Sequence, residues 1–576
     1  LPDGAYPVYE PLRDLVLHGP RGEAWWTGKA PTVGVCPGMT ADGKLISLPQ
    51  LRTSPGLTRA ALHDYFDNTW TLTEALFEAL VGEEAFLVPP LHELRHPLIF
   101  YYGHPAALYI NKLRVAGLLD EPVNAYYESI LETGVDEMSW DDLGKNHMQW
   151  PSVAEVHAYR RTVYDVVKAV IDGVPDDEIS RVDESSPLWA LVMSFEHERI
   201  HLETSSVLMR ELPLKHLQQP RSIPAPHPAV RACPVERDPV EGVHYPANDM
   251  IAVESTSVEL GKPRDFPSYG WDNEYGSRTY GVPAFSASRQ LVSNGEFLAF
   301  VRAGGYRDAS LWTDEGWGWR TFRNAKWPTF WVPDGPSGLH HYRLRLNFEE
   351  VAMPWAAPAV VNAHEAAAFC AWLARTRGVE GARLLTEPEH HALRGGGAAA
   401  THEDAVLQGQ LPGEGYACTP PRALDESHGW NANLCHGSEW PVDASRPSPA
   451  GGFHDVFGNV WHWCADHFSA LRGFAPHPYY DDFSTPCFDG EHHIIMGGSF
   501  ASTGNEASRF ARFHFRPHFF QHAGFRVAAP VDQGGPPPTS CTDAPGPWVG
   551  SSYPFRRGSG DGPGGPAAAA AAAVTA

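Results

Sequence analysis

The strongest chemical signal in this sequence is a pair of histidines, His197 and His201, in the segment EHERIHLE. Residues four apart lie on one face of an α-helix, so the two imidazoles can bind the same cation. The alternative to a metal site is that the two histidines are solvent-exposed or buried and bind no ion. The residues also match the HExxH pattern of metal-binding helices, which weakens that alternative.

The HExxH match admits a zinc protease, in which Glu198 would be the general base. Several features disfavour that interpretation. Thr204 and Ser205 follow Glu203, so the glycine and third histidine of the metzincins are absent. No later glutamate on a matching helix offers a third ligand, and a helical bundle is a poor scaffold for a peptide cleft. We therefore expect a different metal chemistry.

An open metal site needs a third ligand, and His104 in the segment YYGH is the candidate. A histidine in so apolar a segment is more often a core residue, but opposite a histidine pair it can complete three imidazoles around one ion. Imidazole suits iron, zinc, copper or nickel, so spacing alone leaves the metal open. Glu203 is either a hydrogen-bond partner of a ligand ring or an exposed helix residue.

These residues must be positioned by helices, and the sequence of the first half of the chain predicts four helices. Apolar residues recur with helical spacing in the first, and Ser186-Pro187 and Pro213 mark the start and end of the last. The predicted ranges are 58–81, 96–119, about 152–172 and about 187–212. Helices of this length can form an antiparallel bundle, whose core is a usual place for metal sites.

The predicted domain order follows from changes in composition along the chain. Residues 1–50 form an N-terminal extension, 51–213 the helical bundle, and 214–248 a linker rich in Pro and His. Residues 249–531 are dense in Trp, Gly and Asn, which suits a mixed α+β domain with many loops. Its clearest helix is predicted over 361–376, with Asn362 as N-cap and Glu365 in a capping box. Residues 532–576 are a low-complexity tail, predicted to be disordered.

Composition narrows the class of protein. The net charge of −25 repels phosphate backbones, which argues against a nucleic-acid partner. No apolar run is long enough for a transmembrane helix. The eight cysteines include no CxxC pair, so reduced thiols and a cytoplasmic protein are expected. The first residues do not have the pattern of a secretory signal. The first residue is not Met, so the sequence leaves open whether a leader was removed.

Longer motifs resemble one enzyme family. Residues 94–104 (LRHPLIFYYGH) and 109–113 (YINKL) resemble a helix motif of the non-haem iron sulfoxide synthases. Residues 134–143 (GVDEMSWDDL) and 196–212 resemble its 5-histidylcysteine sulfoxide synthase branch, which begins ovothiol biosynthesis. The second half, with WDNEYG, VSNGEF, GNVW, GGSF and GFR, resembles the formylglycine-generating-enzyme-type, C-type-lectin-like fold.

The resemblance covers about residues 50–530 and implies an α+β multidomain protein. A DinB-like four-helix bundle would precede a formylglycine-generating-enzyme-type domain, with Fe(II) held by His104, His197 and His201. The implied reaction uses O2 to join L-cysteine to the imidazole carbon of L-histidine and oxidises the sulfur to a sulfoxide.

Further residues carry over from the resemblance by position. The family uses a tyrosine as acid near the iron, and Tyr480 is expected here, with Tyr479 next. His514 and Arg516 are candidate substrate contacts, because Arg516 could hold a carboxylate bidentately. Ordinary structural roles are the alternative for both.

Two alternative functions stay open from the sequence. Ergothioneine-forming relatives couple trimethylated histidine to cysteine or γ-glutamylcysteine, and they carry Gln where this chain has Arg199 and Ile200. That departure favours cysteine and histidine as substrates. A non-catalytic lectin-like binding protein is the second alternative, which the three histidines disfavour.

The second half also lacks features of related enzymes. No methyltransferase motif follows Val531, so a separate methyltransferase and a downstream lyase are implied as partners of the pathway. Residues 509–525 contain no cysteine, which disfavours the copper-dependent activity of the formylglycine-generating enzymes themselves.

Overall fold

The computed structural model describes residues 6–7, 9–13, 15–92, 94–132, 149–394, 430–445, 447–448 and 451–531. The motif over 134–143 and the predicted tail over 532–576 lie outside the described residues.

The first part of the chain is helical. Four long helices coincide with the four predicted ones: α1 Arg59–Phe77, α3 Leu98–Val115, α5 Val153–Gly173 and α7 Trp189–Glu211. Short helices lie among and after them: α2 Glu83–Leu87, α4 Ala125–Ile130, α6 Asp176–Ile179 and α8 Pro228–Arg231. None of the helices in the described part is long and apolar enough to cross a membrane.

Local capping explains where two of the long helices begin. The Thr58 side chain accepts a hydrogen bond from the backbone of Ala61 at the start of α1. Ser152 and Glu155 form a reciprocal capping box at the start of α5. These caps satisfy backbone N–H groups that have no partner inside the helix.

Helix α7 begins two residues later than the sequence predicts. The backbone N–H of Trp189 donates to Ser186 and that of Ala190 donates to Pro187. These bonds span three residues, so the chain makes a tighter 3₁₀-type turn before the α-helix starts. Pro187 therefore precedes the helix instead of standing at its first position.

The N-terminal residues pack onto the bundle and contribute to its core. The Trp25 ring stacks on Tyr102 of α3 at a centroid distance of 5.6 Å and on His157 of α5 at 5.3 Å. Thr27 hydrogen-bonds the buried carboxylate of Glu74 on α1. The predicted extension is thus a structural part of the helical domain.

The second part contains short strands in several sheets. The strands are β1 Met250–Val253, β2 Thr256–Leu260, β3 Arg278–Val282, β4 Phe285–Ser288, β5 Trp331–Pro333, β6 Tyr342–Arg345, β7 Glu350–Ala352, β8 Arg383–Leu384, β9 Trp461–His467, β10 His493–Met496, β11 Phe513–Phe515, β12 Ala523–Gly524 and β13 Val527–Pro530. One sheet has the order β1-β4-β13-β8 and another β11-β10-β9-β12, while β2-β3 and β5-β6-β7 form smaller antiparallel sheets. Strand β12 runs parallel to β9.

Among the residues that the structure describes, this part also contains four α-helices. They are α9 Asn294–Arg302, α10 Asp314–Arg323, α11 Ala363–Arg377 and α12 Glu387–Leu393. The predicted capping box of Asn362 and Glu365 is present at the start of α11. The main apolar core runs without interruption from the bundle into the strand-rich part. The two parts therefore fold against each other over a shared core.

Candidate metal centre

Helices α3 and α7 pack side by side and bring three histidines together. The Nε2 atom of His197 lies 3.3 Å from Nε2 of His104 and 3.1 Å from Nε2 of His201. All three side chains are buried, and their ligand atoms lie within 4.8 Å of one another. The arrangement that the sequence predicted for these residues is thus present in the fold.

The donor set fits one transition-metal ion. Imidazole nitrogens bound to one ion at about 2.1 Å lie roughly 3.0 to 3.4 Å apart for bond angles between right-angled and tetrahedral. The two Nε2 distances fall in this range. Three neutral imidazoles are ligands for iron, zinc, copper or nickel, and they leave positions for further ligands.

Backbone contacts set the orientation of His104. Its Nδ1 atom hydrogen-bonds the carbonyl of Leu131, which directs Nε2 towards α7. Gly103 makes this approach possible, because a Cβ there would lie 2.7 Å from the Leu131 side chain and 3.1 Å from Val156. The glycine beside the ligand therefore lets the segment after α4 contact α3.

Burial keeps the histidines of α7 neutral. Desolvation lowers the pKa of His201 to about 3, with a further contribution from Arg95. Desolvation also holds the pKa of His197 well below its usual value, and the neighbouring His201 and His104 act in the same direction. Both rings are thus in the form that binds metal ions.

A different face of α7 binds the strand-rich part. Glu196 accepts hydrogen bonds from Tyr65 on α1 and from the backbone of Asn505. Ser206 pairs with His522 at 2.7 Å. Arg210 donates to Glu439 at 2.9 Å in a buried ion pair. At about 100° per residue, Glu196, Ser206 and Arg210 lie within about 80° of one another around the helix axis, so this side of α7 joins the two parts.

Glu203 belongs to this interdomain face, which corrects the predicted contact with a ligand ring. Its carboxylate accepts hydrogen bonds from Trp461 at 2.8 Å, Ser499 at 2.7 Å and Ser502 at 2.6 Å. Residues two apart on a helix point about 200° away from each other, so Glu203 faces away from His201. It is neither exposed nor beside the histidines, the two positions expected for it.

Glu198 and Arg199 are also engaged away from the histidines. The Glu198 carboxylate accepts from Tyr109 at 3.0 Å and lies 3.6 Å from the Arg160 guanidinium. The Arg199 guanidinium donates to Ser47 at 2.6 Å and lies over the Tyr65 ring. The protease role of Glu198, which the sequence already disfavoured, gains no support from this arrangement.

Tyr480 lies beside the histidines, whereas Tyr479 is less buried. The Tyr480 ring centroid is 6.1 Å from that of His197 and 6.4 Å from that of Trp271. The Tyr479 ring packs on His477 at 5.0 Å. The structure thus places Tyr480, the first candidate of the pair, next to the three histidines.

Lys112 is a residue of this region to which the sequence assigned no role. Its ammonium lies 3.7 Å from the centroid of the Tyr480 ring. Burial lowers the pKa of Lys112, and the nearby carboxylates of Asp482 and Glu132 oppose that shift. The spacing of eight residues from His104 on α3 is the signal that could have identified it, because such residues share a helix face.

His514 and Arg516 do not face the three histidines. Along β11, Phe513 and Phe515 are buried, and Phe513 packs on Trp461 towards α7. Alternate residues of a strand point to opposite sides, so His514 and Arg516 lie on the other face. His514 stacks on Phe468, and Arg516 pairs with Glu491 at 2.8 Å. This placement gives no support to the substrate contacts that the positions of His514 and Arg516 in the sequence suggested.

Two family models match this chain. Residues 236–531 match the sulfatase-modifying factor enzyme 1-like domain, and residues 65–205 match the DinB superfamily. The fold class predicted from the sequence, a DinB-like helical domain followed by a formylglycine-generating-enzyme-type domain, is confirmed by these matches and by the α+β architecture.

Several known proteins are similar to the chain. Hercynine oxygenase of Mycolicibacterium thermoresistibile is 27% identical over 438 residues, which cover 73% of this chain and 83% of that protein. Ergothioneine biosynthesis protein 1 of Neurospora crassa is 24% identical over 543 residues, covering 81% of this chain and 57% of the relative. The formylglycine-generating enzyme of Thermomonospora curvata is 28% identical over 317 residues, covering 49% of this chain and 94% of that enzyme.

Proposed function

This chain belongs to the sulfatase-modifying factor enzyme 1-like domain family, and from that premise we propose that it is an Fe(II)- and O2-dependent sulfoxide synthase. The relatives that match both parts are named as an oxygenase and as a biosynthesis protein, and this chain is an oxygenase-type enzyme. The observation that carries the proposal is the convergence of His104, His197 and His201.

The proposed reaction joins the sulfur of a thiol to an imidazole carbon. The thiol and the ring carbon each lose one hydrogen, one oxygen atom of O2 oxidises the sulfur to a sulfoxide, and the other leaves as water. Bound Fe(II) would supply the one-electron chemistry that O2 requires and would bind the thiolate. Nothing in this balance needs a further reductant.

The residues of the chain hold, orient and shield this site. The Leu131 carbonyl fixes the tautomer of His104. Burial of α3 and α7 excludes water from the three imidazoles. The Tyr480 phenol would give a proton from its Oη atom to the reacting oxygen, and Lys112 holds the phenol ring in place.

The similarity to these relatives favours trimethylated histidine, known as hercynine, as the imidazole substrate. The two relatives described above that match across both parts are named for hercynine or ergothioneine. We therefore propose an ergothioneine-type reaction with cysteine or γ-glutamylcysteine as the thiol. This replaces the cysteine–histidine reaction as the first candidate.

The coupling of cysteine to histidine remains a second candidate. It rests on Arg199 and Ile200, which stand where the ergothioneine-forming relatives carry Gln. Arg199 itself contacts Ser47 and Tyr65, away from the histidines.

The test is a product assay on the full chain. Fe(II) is loaded without oxygen, and air is then admitted to four mixtures that combine histidine or trimethylated histidine with cysteine or γ-glutamylcysteine. Mass spectrometry should detect a sulfoxide adduct from trimethylated histidine, and iron analysis should give one ion per chain. Adduct from histidine alone would select the second candidate.

Variants assign the reaction to the three histidines. His104→Ala should lose both adduct and iron, whereas His157→Gln, a buried histidine of α5 outside the site, should keep both. An iron-loaded wild-type chain that forms no adduct in any mixture would overturn the proposed function. Full activity in His104→Ala would overturn the ligand assignment.

A further inference from the structure

A second cluster of metal-binding side chains lies in the strand-rich part. Cys487, His492 and His514 each offer a ligand atom, and these atoms lie within 4.8 Å of one another. Cys487 ends a 3₁₀ turn, His492 precedes β10, and His514 is in β11. Strands β10 and β11 pair antiparallel with Ile494 opposite His514. The sheet therefore brings the three donors together from separate segments.

A carboxylate orients one of these donors. Asp489 lies 2.9 and 3.0 Å from Nδ1 of His492 through its two oxygens. A carboxylate on Nδ1 makes Nε2 the nitrogen that would bind an ion. Histidine ligands of protein metal sites commonly have such a partner.

The surroundings suit a bound ion. The His492 side chain is only 3% exposed, whereas Cys487 and His514 are half-buried. The His514 ring stacks on Phe468 at 4.1 Å, and its centroid is 5.2 Å from that of His492 in a T-shaped arrangement. The rings are therefore held in place by packing, while one side of the cluster faces solvent.

We propose that Cys487, His492 and His514 bind a second metal ion of the zinc class. One thiolate and two imidazoles are the ligands of tetrahedral Zn²⁺, with water in the fourth position. The hard cations Ca²⁺ and Mg²⁺ require oxygen ligands and are not expected there. This site shares no residue with the three histidines of the bundle.

The second ion would stabilise the segment that carries Tyr480. Cys487 follows Tyr480 by seven residues, and Ser484 between them hydrogen-bonds Asn273 at 3.0 Å. An ion that joins Cys487 and His492 to β11 fixes the far end of this segment. The proposed role is structural and does not depend on the coupling reaction.

Cobalt can report on this site because only a cysteine ligand gives a thiolate-to-cobalt charge-transfer band in the near ultraviolet. The full chain is stripped with a chelator and titrated with Co²⁺. Wild type should develop this band, and Zn²⁺ should abolish it by displacement. A folded wild-type chain without the band would overturn the proposal.

Variants show whether the band belongs to this cluster. Cys487→Ser should lose it, whereas Cys233→Ser, a half-buried thiol that contacts the Ala352 carbonyl, should keep it. His197→Ala should also keep it, because the bundle site contains no sulfur. A band that survives in Cys487→Ser would overturn the proposal.

Two conservative variants cover the case in which Cys487→Ser fails to fold, as judged by circular dichroism. His514→Phe keeps the stacking on Phe468 and should weaken Co²⁺ binding at least tenfold. Asp489→Asn should weaken it about 10- to 100-fold, since partners of metal ligands have effects of that size. Unchanged binding in both would overturn the proposal.

Discussion

The Nζ atom of Lys112 lies 3.7 Å from the centroid of the Tyr480 ring, across the boundary between the bundle and the strand-rich part. Lys112 is on α3, two turns after His104, and is only 9% exposed. An ammonium over an aromatic face is attracted by the ring quadrupole, most strongly where water is excluded. One helix thus supplies a metal-binding histidine and a cation that holds the proposed acid.

Replacing the cation should slow the reaction without loss of iron. Lys112→Met keeps most of the stem, and the rate of adduct formation should fall about tenfold, since a desolvated cation–π contact contributes about 1 to 2 kcal/mol. Lys112→Arg should retain most of the rate. Exposed Lys215→Met is the control, and equal rates in Lys112→Met and Lys215→Met would contradict the role.

Removal of the phenol oxygen should have a larger effect. Tyr480→Phe keeps the ring under Lys112, but adduct formation should fall about 100-fold or more, the usual contribution of a general acid. Tyr479→Phe should retain most activity, because its ring packs on His477. Both rates are measured at saturating substrate with iron content checked. A larger loss in Tyr479→Phe would reassign the acid to that residue.

The carboxylate of Glu203 should matter for stability more than for metal binding. Glu203→Ala leaves Trp461, Ser499 and Ser502 without their buried acceptor, and each lost partner costs about 1 to 3 kcal/mol. We expect Tm to fall by several degrees with Fe(II) binding retained. Exposed Glu178→Ala is the control, and loss of iron with unchanged Tm would contradict this assignment.

The buried His157 should make stability depend on pH. Desolvation lowers its pKa to about 4, below the unfolded value of about 6.5. As pH falls, His157 is protonated in the unfolded chain before it is protonated in the folded chain. The contribution of neutral His157 to the free energy of unfolding is therefore fully present above pH 6.5. It declines by up to about 3 kcal/mol as pH falls towards 4. His157→Gln should lose less stability over this window. Parallel curves for wild type and variant, measured by urea unfolding, would exclude the effect.

Local patterns explain what the sequence could predict. The amphipathic spacing of 58–81 and the capping residue Asn362 act within a few residues of the helices that they define. The spacing of His197 and His201 is local in the same sense. The assignment of His104 as a third ligand also depended on the resemblance to a known family, because nothing near His104 in the sequence indicates which helix it faces.

Contacts between distant segments explain what the sequence missed. The direction of Glu203 depends on how Ser499 and Ser502 dock on α7, almost 300 residues further along the chain. The position of Trp25 depends on rings of α3 and α5. His514 and Arg516 were matched by position along the chain, but the alternation of β11 decides which side of the strand they face.

Helix α7 has no side that faces solvent, since every residue from Trp189 to Arg210 is buried. One side binds the proposed metal and another binds the strand-rich part, so evolution has little freedom to change either. A substitution at Glu203 requires a matching change at Ser499 or Ser502. Among related chains, these positions should therefore vary together, and the boundary between the two parts should be the slowest region of the protein to diverge.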